Sequence, residues 1–313
     1  MSERRRPSSL RELLAKHDTR PGTINDAVLC AEKQLIAAKV DSPRLSAELL
    51  AAKAFGLSRL GLIMRAKDKP DDANLTAFRE LVSRREKGEP AAYILGEKEF
   101  FGLTFRVTPD VLIPRPETEL IVEEVQRLFP ANASFAFADF GTGSGALAVA
   151  LAHEFPAARG LAVDVCGHAL EVARQNARAN GVEERLAFQC ADFTRLDFPV
   201  ASLDLLVSNP PYVTESEYAE LSPEVRFFEP RLALVSPEQG LWHLEALLPV
   251  ARLALRPGGV LLCEIGSGQG AAAQELTRQS AYEFAHVSIL KDYAGLDRIL
   301  KVVLPSQKCG ECA

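Results

Sequence analysis

The segment Leu203-Asp-Leu-Leu-Val-Ser-Asn-Pro-Pro-Tyr-Val213 is the stretch of this sequence from which the fold class can be inferred. Its largely apolar first part, up to Val207, is typical of a buried strand of a parallel sheet, and it changes abruptly to polar residues, two prolines and an aromatic residue. A loop at the carboxyl end of such a strand lies where open α/β sheets bind ligands. The segment therefore predicts an α/β fold with a binding loop directly after this strand.

The loop after the strand has the chemistry of a site for a planar NH2 group. Pro210 and Pro211 fix two φ angles and remove two backbone donors, so the loop is stiff and its carbonyl groups have few internal partners. Asn209 offers a side-chain carbonyl, Pro210 a backbone carbonyl and Tyr212 a flat ring face. An ordinary turn is the alternative interpretation, because Asn and Pro are common in turns.

Holding an NH2 group in place suits one kind of reaction. A conjugated NH2 nitrogen is a poor nucleophile, and its proton is too weakly acidic for a side-chain base tuned near neutral pH. Alignment can lower the barrier by roughly 7 to 11 kcal/mol, and two acceptors favour the nitrogen as it becomes positive during attack. A sulfonium methyl group is a suitable electrophile because it carries its own charge and needs no metal. The loop therefore predicts N-methylation with Asn209, Pro210 and Tyr212 as catalytic residues.

A glycine-rich turn lies upstream of this loop. Asp139-Phe-Gly-Thr-Gly-Ser-Gly145 follows a predicted strand from Phe135 and precedes a helix that begins at Ala146. Its glycines allow the backbone to approach a ligand closely and leave helix N-terminal amides free. Together with Ala146 the turn also matches the dinucleotide-binding pattern Gly-x-Gly-x-x-Gly/Ala, so a nicotinamide-dependent enzyme remains an alternative.

Three successive predicted strands end near a carboxylate, at Asp139, Asp164 and Asp192. Asp164 suits the ribose hydroxyls of a nucleotide cofactor, and Asp192 with Phe193 suits an adenine, by hydrogen bonding and stacking. Three carboxylates disfavour a pyrophosphate and favour a nucleoside that carries positive groups. S-adenosylmethionine, with its amino and sulfonium groups, is the cofactor that this pattern predicts.

The segment Ile113-Pro-Arg-Pro-Glu-Thr-Glu119 comes shortly before the glycine-rich half. Its alternate prolines predict an extended, stiff segment, and Thr118 or Glu117 is expected to cap the helix that follows. We expect the segment to form one wall of a substrate pocket, with Arg115, Glu117 and Glu119 in contact with the substrate. An ordinary linker is the alternative.

The amino-terminal third has the helical periodicity of a small bundle, with Thr23 and Ser42 as expected helix caps. Residues 214–240 are expected to form a long loop that acts as a lid or a peptide-binding edge. The predicted segments are a flexible amino terminus at 1–19, a helical docking domain at 20–90, a hairpin and proline-rich linker at 91–118, a catalytic domain at 119–305 and a flexible tail at 306–313.

Composition and charge limit the classes of function. The 313 residues are 47% hydrophobic and 25% charged, as in ordinary globular proteins, and no apolar run reaches the roughly 18 residues of a membrane span. Residues 1–95 contain 18 basic and 13 acidic side chains, which gives a net charge of +5. The remaining residues contain 18 basic and 29 acidic side chains, which gives a net charge of −11. The acidic part is a poor platform for duplex DNA.

Cysteine and histidine usage indicates a reduced, metal-free protein. The six cysteines and five histidines are scattered, and Cys309 and Cys312 have CxxC spacing but no second pair. The amino terminus has positive charge but no apolar segment behind it, so it does not match a secretory signal. We expect a cytoplasmic monomer without a metal site and with no requirement for nucleic acid.

Several of these motifs together resemble the release-factor glutamine methyltransferase family. The resemblance runs from about residue 20 to about residue 305. It includes the turn at 139–145 and the segments at 113–119 and 209–212. Two further segments belong to it, Val225-Arg-Phe-Phe-Glu-Pro230 and Lys291-Asp-Tyr-Ala-Gly-Leu-Asp-Arg298. It implies a seven-stranded Rossmann-like sheet, mostly parallel with one antiparallel strand, joined by a β-hairpin linker to the helical bundle. It also implies methyl transfer from S-adenosylmethionine to the glutamine side-chain amide of the Gly-Gly-Gln motif in class 1 peptide chain release factors.

The resemblance also implies roles for individual residues. Substrate contacts are implied from Asn209 to Tyr212, which includes Pro211. The expected cofactor contacts, from the residues and the resemblance together, are Asp139, Gly141, Thr142, Gly143, Ser144, Gly145, Asp164, Asp192, Phe193 and Asn209.

Other functions remain open from the sequence. Asn-Pro-Pro-Tyr is shared with DNA adenine and RNA amino-methyltransferases, so adenine N6-methylation is one alternative, although it requires base flipping and a basic channel. A sister family that methylates a ribosomal-protein glutamine is another, and it typically differs in the segment at 113–119. A binding module with a degenerate cofactor site is a non-enzymatic alternative. The sequence leaves open which release factor is preferred and in which order substrate and cofactor bind.

Overall fold

The computed structural model describes residues 21–196, 198–279 and 282–306, and the chain divides into two compact units between Leu95 and Gly96. The expected flexible termini at 1–19 and 306–313 lie outside the described residues, apart from Ser306, and so do Cys309 and Cys312. The domain boundaries drawn from the sequence stay predictions.

The first unit is a small helical bundle with its own core. Leu35 and Leu50 are completely buried there, and Phe78 is nearly so. Thr23 caps the first helix as expected, because its Oγ1 accepts a hydrogen bond from the Asp26 amide over 3.1 Å. The expected cap by Ser42 is wrong: this residue is in the left-handed region and its side chain makes no capping hydrogen bond. The helices are α1 (Ile24–Ala37), α2 (Pro43–Phe55), α3 (Arg59–Met64), α4 (Asp72–Glu86) and α5 (Ala91–Leu95).

The second unit contains an antiparallel hairpin followed by a seven-stranded sheet, as the sequence predicted. The hairpin consists of β1 (Glu97–Phe100) and β2 (Leu103–Arg106). The sheet has the order β5-β4-β3-β6-β7-β9-β8, in which β9 is antiparallel to both of its neighbours. Its strands are β3 (Ala136–Phe140), β4 (Arg159–Asp164), β5 (Leu186–Cys190), β6 (Leu203–Ser208), β7 (Leu255–Glu264), β8 (His286–Lys291) and β9 (Asp297–Val303).

Helices and short 3-10 turns connect the strands of the sheet. The prediction of a long loop at 214–240 was wrong in part, because this segment contains two short helices and two 3-10 turns. The helices of this unit are α6 (Glu119–Leu128), α7 (Ala146–Glu154), α8 (Gly167–Ala179), α9 (Glu215–Glu220), α10 (Pro223–Phe228), α11 (Trp242–Ala254) and α12 (Gly270–Gln279). No helix within the described residues is both long enough and apolar enough to cross a membrane.

The strand order creates a crevice next to β3. β3 pairs in parallel with β4 on one side and with β6 on the other, so the chain reverses its direction of travel across the sheet at this point. Asp139 lies opposite Val207 in the β3–β6 register. The glycine-rich turn after β3 and the Asn-Pro-Pro-Tyr loop after β6 therefore leave the same edge of the sheet, where α/β sheets bind ligands.

Both faces of the sheet are buried, which explains why its central strands are apolar. Along β3 the side chains alternate between two hydrophobic clusters: Phe137 belongs to one, Ala138 and Phe140 to the other. Phe137, Ala138 and Phe140 are at most 1% exposed. The crevice therefore rests on a rigid, close-packed support.

Gly160 in β4 provides a test of this packing. A Cβ atom at Gly160 would lie 2.3 Å from Cζ of Phe137 and 2.7 Å from Cδ2 of Leu186. We expect Gly160→Ala to lower the free energy of unfolding by roughly 1 to 3 kcal/mol, since overpacking displaces buried neighbours. Urea titration measures this change. Ala187→Val, on an exposed position of β5, is the matched control, and equal stabilities of the two variants would contradict the prediction.

Candidate active site

A cavity of about 310 Å³ opens at the carboxyl ends of β3, β4, β5 and β6. Most residues that the sequence assigned to a ligand line this one cavity. They come from five separate segments of the second unit, and the strand order brings them together. The predicted site residues in its lining are Arg115, Asp139, Gly141, Thr142, Gly143, Ser144, Asp164, Asp192, Phe193, Asn209 and Pro211.

The other predicted site residues lie outside this lining. Gly145, the last residue of the turn, packs against α8. A Cβ atom added at Gly145 would lie 3.1 Å from Cβ of Ala173. Oε1 of Glu119 accepts a hydrogen bond from the Phe101 amide over 2.9 Å. Pro210 is buried. Their contacts with ligands, and those of Glu117 and Tyr212, stay predictions.

The glycine-rich turn is held by its neighbours on both sides. The amides of Gly141 and Thr142 donate to the carbonyl of Val163 at the end of β4. On the other side, Nδ2 of Asn176 donates to the carbonyl of Ser144 over 2.8 Å. Because Asn176 is 1% exposed and also bonds both backbone groups of Arg106, the turn is fixed to α8 and to the hairpin.

Asp139 is a buried carboxyl with one unused oxygen. Its Oδ2 accepts from the hydroxyl of Thr142 over 2.6 Å and from the amide of Ala148 over 3.2 Å. Its Oδ1 is buried and has no hydrogen-bond partner among the residues that the structure describes. Burial raises the pKa of Asp139 to about 7, and the nearby Asp164 carboxylate adds to the increase. A cationic donor in the cavity would satisfy the unused oxygen.

Asp164, at the end of β4, anchors the glycine-rich turn that follows β3. Its two oxygens accept hydrogen bonds from the amides of Gly143, over 2.8 Å, and Cys166, over 2.9 Å. Burial raises the pKa of Asp164, and these backbone bonds partly offset that effect. A carboxylate has about four acceptor positions, so Asp164 can still accept a hydroxyl donor from a ligand.

Asp192 and Phe193 follow β5 in the chain and line the cavity. Oδ1 of Asp192 accepts hydrogen bonds from the amide and the hydroxyl of Thr194. The pKa of Asp192 is lowered, and the bond from the Thr194 hydroxyl is the main cause. The Phe193 ring stacks on Phe140, with centroids 5.5 Å apart and planes inclined by 13°. One aromatic face of the cavity is therefore held in a fixed plane, as a stacking platform requires.

Asn209 is joined to a buried carboxyl by a short network. Its Nδ2 donates to Oγ1 of Thr118 over 3.0 Å, and the Thr118 hydroxyl donates to Oε2 of Glu264 over 2.6 Å. The hydroxyl of Tyr212 donates to Oε1 of Glu264 over 3.2 Å. Within the described part of the chain, Oδ1 of Asn209 and the carbonyl oxygen of Pro210 accept no hydrogen bond. Two acceptors of the loop thus remain available.

Glu264 is an almost completely buried carboxyl at the end of β7. It is 1% exposed, and burial raises its pKa to about 7, an effect that the Thr118 hydrogen bond and the positive charge of Arg298 oppose. The pKa of Tyr212 is also raised, first by burial and then by the charge of Glu264.

The expected helix cap by Thr118 or Glu117 was wrong. Thr118 precedes α6, but its side chain makes no capping hydrogen bond and instead binds Glu264. The segment around it is extended at Arg115 and forms a 3-10 turn at Pro116–Thr118. A buried carboxylate therefore attracts the hydroxyl that local sequence rules assign to the helix terminus.

Arg115 lines the cavity and is paired with a buried carboxylate. Its Nη2 lies 2.6 Å from Oε1 of Glu229, while Oε2 of Glu229 accepts from the amide of Ile113 over 3.1 Å. Glu229 is 5% exposed. This pair connects the segment at 113–119 to the segment at 214–240, both of which contribute to the cavity wall.

Sequence reasoning missed two aromatic residues and Glu264. Trp242 and His243 line the cavity at the start of α11, and neither was expected to contact a ligand. Nδ1 of His243 lies 2.8 Å from Oγ of Ser236, and burial lowers the pKa of His243. One feature of the sequence could have indicated Glu264: it is a carboxylate directly after the run of buried residues in β7. In the described ranges, no group of three or more His, Cys, Asp or Glu side chains is placed to hold a metal ion.

Comparison with known families matches both parts of the chain. Residues 26–96 match the family described as the PrmC N-terminal domain. Residues 137–226, which contain the turn after β3 and the loop after β6, match the family described as a methyltransferase domain.

Two curated relatives extend over nearly the whole length of the chain. The release factor glutamine methyltransferase of Nitratidesulfovibrio vulgaris is 46% identical over 90% of this chain and 95% of the relative. The release factor glutamine methyltransferase of Chlorobaculum tepidum is 44% identical over 83% of this chain and 90% of the relative. Among solved structures, the fold resembles the catalytic domain of hMettl16 in complex with MAT2A 3′UTR hairpin 6, with a TM-score of 0.53 and 16% sequence identity. The match covers 76% of this chain and 84% of the hMettl16 chain. At that identity the likeness supports the fold alone.

The raised pKa values of Asp139 and Glu264 predict how stability changes with pH. A carboxyl whose pKa is higher in the folded state than in the unfolded state contributes stability that is lost as the pH rises through the folded-state value. For Glu264 that window extends from 4.5 to about 7. We therefore expect wild-type protein to lose stability relative to Glu264→Gln over this range, with no further change above it.

Urea titrations at several pH values across the window measure the difference. Glu184→Gln, which changes an exposed carboxyl of the same unit, is the control and should follow the wild type. A constant difference between wild type and Glu264→Gln at all pH values would show that folding leaves the pKa of Glu264 unchanged.

Proposed function

The chain belongs to the release factor glutamine methyltransferase family, and from that premise we propose that it transfers a methyl group from S-adenosylmethionine to a glutamine side-chain amide in peptide chain release factors. The proposed acceptor is the glutamine of the Gly-Gly-Gln motif of class 1 release factors, acting in the cytoplasm. The observation that carries this proposal is the free pair of acceptors at Asn209 and Pro210, beside a cavity lined by acidic residues. The monomeric state stays a prediction.

The cavity fits the proposed cofactor on chemical grounds. Asp139 presents a buried, unpartnered oxygen that suits an ammonium group. Asp164 retains lone pairs for ribose hydroxyls, while Asp192 and Phe193 supply an acceptor and a ring plane for adenine. S-adenosylmethionine would supply the methyl group as a sulfonium electrophile. We propose that these four residues bind it together with the turn from Gly141 to Ser144.

The chain's own residues act on the acceptor by positioning it. Oδ1 of Asn209 and the carbonyl of Pro210 each accept a hydrogen bond from the glutamine NH2, and this orients the nitrogen lone pair toward the electrophile. The same two oxygens stabilise the positive charge that develops on the nitrogen. The nitrogen would gain the methyl carbon as the sulfonium S–CH3 bond breaks, with the electron pair of that bond left on the sulfur of a neutral thioether. The surplus proton of the nitrogen would pass to solvent water. Pro211 and Arg115, both in the cavity lining, are proposed to contact the substrate beside the reacting amide.

Substitution of Asn209 tests the proposed reaction. We expect Asn209→Ala to reduce methyl transfer roughly 100-fold to 1,000-fold, because one preorganised hydrogen-bonding group is lost. The measurement is mass spectrometry of a purified release factor after incubation with the protein and S-adenosylmethionine, with the methyl group mapped to a peptide. Asn132→Ala, an exposed position of the same unit, is the control. A wild-type protein that binds cofactor but adds no methyl group to the glutamine of the Gly-Gly-Gln motif would refute the proposed substrate.

Asp139 predicts a pH dependence of cofactor binding. Because its pKa is about 7 without a ligand, binding of an ammonium group should strengthen as the pH rises toward 7, by up to about tenfold per pH unit. Isothermal titration calorimetry with S-adenosylmethionine checks this trend, and Asp139→Asn should flatten it. 5′-Methylthioadenosine, which lacks the amino acid part, is the matched control ligand and should show no such trend. An equally steep trend with both ligands would exclude the proposed contact.

A further inference from the structure

The network behind Asn209 has a defined direction. An ionised carboxylate can only accept hydrogen bonds, so the single hydroxyl hydrogens of Thr118 and Tyr212 both point to Glu264. Oγ1 of Thr118 then has only lone pairs left for its other partner, Asn209. The amide of Asn209 must therefore present Nδ2 to Thr118, and its Oδ1 points in the other direction from Cγ within the amide plane.

This direction matters because an Asn amide is ambiguous by shape. Its oxygen and its NH2 group are almost the same size, so packing alone barely distinguishes the two orientations. The reversed orientation of Asn209 would present an NH2 group to the NH2 group of the substrate, and two donors would then face each other. Orientation must therefore come from a partner that accepts but cannot donate.

In its ionised form, Glu264 is such a partner at the inner end of the network. It is 1% exposed, and both of its oxygens are occupied by hydroxyl donors. Two further charged groups act on it: Arg298, which favours the ionised form, and Glu117, which opposes it. Arg298 is itself paired with Asp292 over 3.0 Å.

We propose that Thr118 and Glu264 are positioning residues that orient the Asn209 amide, with its oxygen as the acceptor, and so select a hydrogen-bond donor such as a side-chain NH2 group as the methyl acceptor. This inference rests on the proposed function, in which Asn209 contacts the substrate amide. Thr118 acts through Asn209, and Glu264 acts through Thr118. The role also explains why a threonine of the segment at 113–119 is directed into the sheet and leaves α6 uncapped.

Kinetics of three threonine variants test the proposal. Thr118→Val keeps the side-chain shape and removes the hydroxyl, so we expect kcat to fall about 100-fold, as when a reacting group is misplaced. Thr118→Ser restores the hydroxyl and should return kcat to within about threefold of wild type. The affinity for S-adenosylmethionine should be unchanged in both variants. The matched control is Thr277→Val in α12, which removes a buried hydroxyl that donates to the carbonyl of Gln274.

Glu264→Gln provides a second variant in case Thr118→Val does not fold. The amide at position 264 can donate to Oγ1 of Thr118, which allows the threonine hydroxyl to donate to Oδ1 of Asn209. The Asn209 amide can then adopt the reversed orientation, and we expect a lower kcat with unchanged cofactor affinity.

Nuclear magnetic resonance tests the orientation without any turnover. In protein labelled with 15N on asparagine, the NH2 signals of Asn209 are assigned as those lost in Asn209→Ala. At about pH 8, where Glu264 is ionised, these signals should shift in Thr118→Val and Glu264→Gln. They should stay near their wild-type positions in Thr118→Ser and Thr277→Val.

The two measurements separate failure of this inference from failure of the proposed function. Wild-type kcat and unchanged Asn209 signals in Thr118→Val would overturn the inference, whatever the substrate is. A loss of kcat that Thr118→Ser does not restore would show that Thr118 is only structural. Absence of methyl transfer to release factors by the wild-type protein would instead refute the proposed function, and the Asn209 signals would still report on the orientation.

Discussion

The parallel pairing of β3 with β4 on one side and with β6 on the other is the constraint on which the rest of the site depends. The chain leaves β3 to build one half of the sheet and later returns to build the other half from β6. The loops that follow these two strands therefore diverge and leave a crevice between them. The glycine-rich turn occupies one side of that crevice and the Asn-Pro-Pro-Tyr loop occupies the other, although Gly145 and Asn209 are 64 positions apart in sequence (209 − 145).

The second organising feature is a set of carboxyl groups at the ends of the strands. Asp139 and Glu264 are each 1% exposed, and their burial without a cation would be costly if both were fully ionised. Hydroxyl donors reduce that cost: Thr142 binds Asp139, and Thr118 binds Glu264. The oxygen of Asp139 that stays unpartnered is therefore the position where a positively charged ligand gains most.

Local patterns predicted much of this architecture correctly. The helical amino-terminal unit and the buried strand before the Asn-Pro-Pro-Tyr loop follow from apolar periodicity and from turn residues, whereas the seven-stranded sheet with its single antiparallel strand was implied by the family resemblance. The patterns failed where a distant partner competes with a local one. Thr118 precedes α6 as a capping residue would, yet its hydroxyl binds Glu264, which is 146 positions away. Ser42 also precedes α2 without capping it, but for a local reason: its backbone is in the left-handed region.

The sequence by itself determined the kind of chemistry, because the donors, acceptors and ring faces of the Asn-Pro-Pro-Tyr loop and the carboxylates at strand ends are properties of residue types in short segments. Only the tertiary structure decided how those groups are oriented. Asn209 meets Thr118 across 91 positions, and Glu264 reaches the site from β7. Such contacts depend on strand order and on which face of the sheet each residue occupies, and no periodicity within a short segment encodes either. The direction of a hydrogen bond is set by its partner, so the orientation of Asn209 emerges only when the chain is folded.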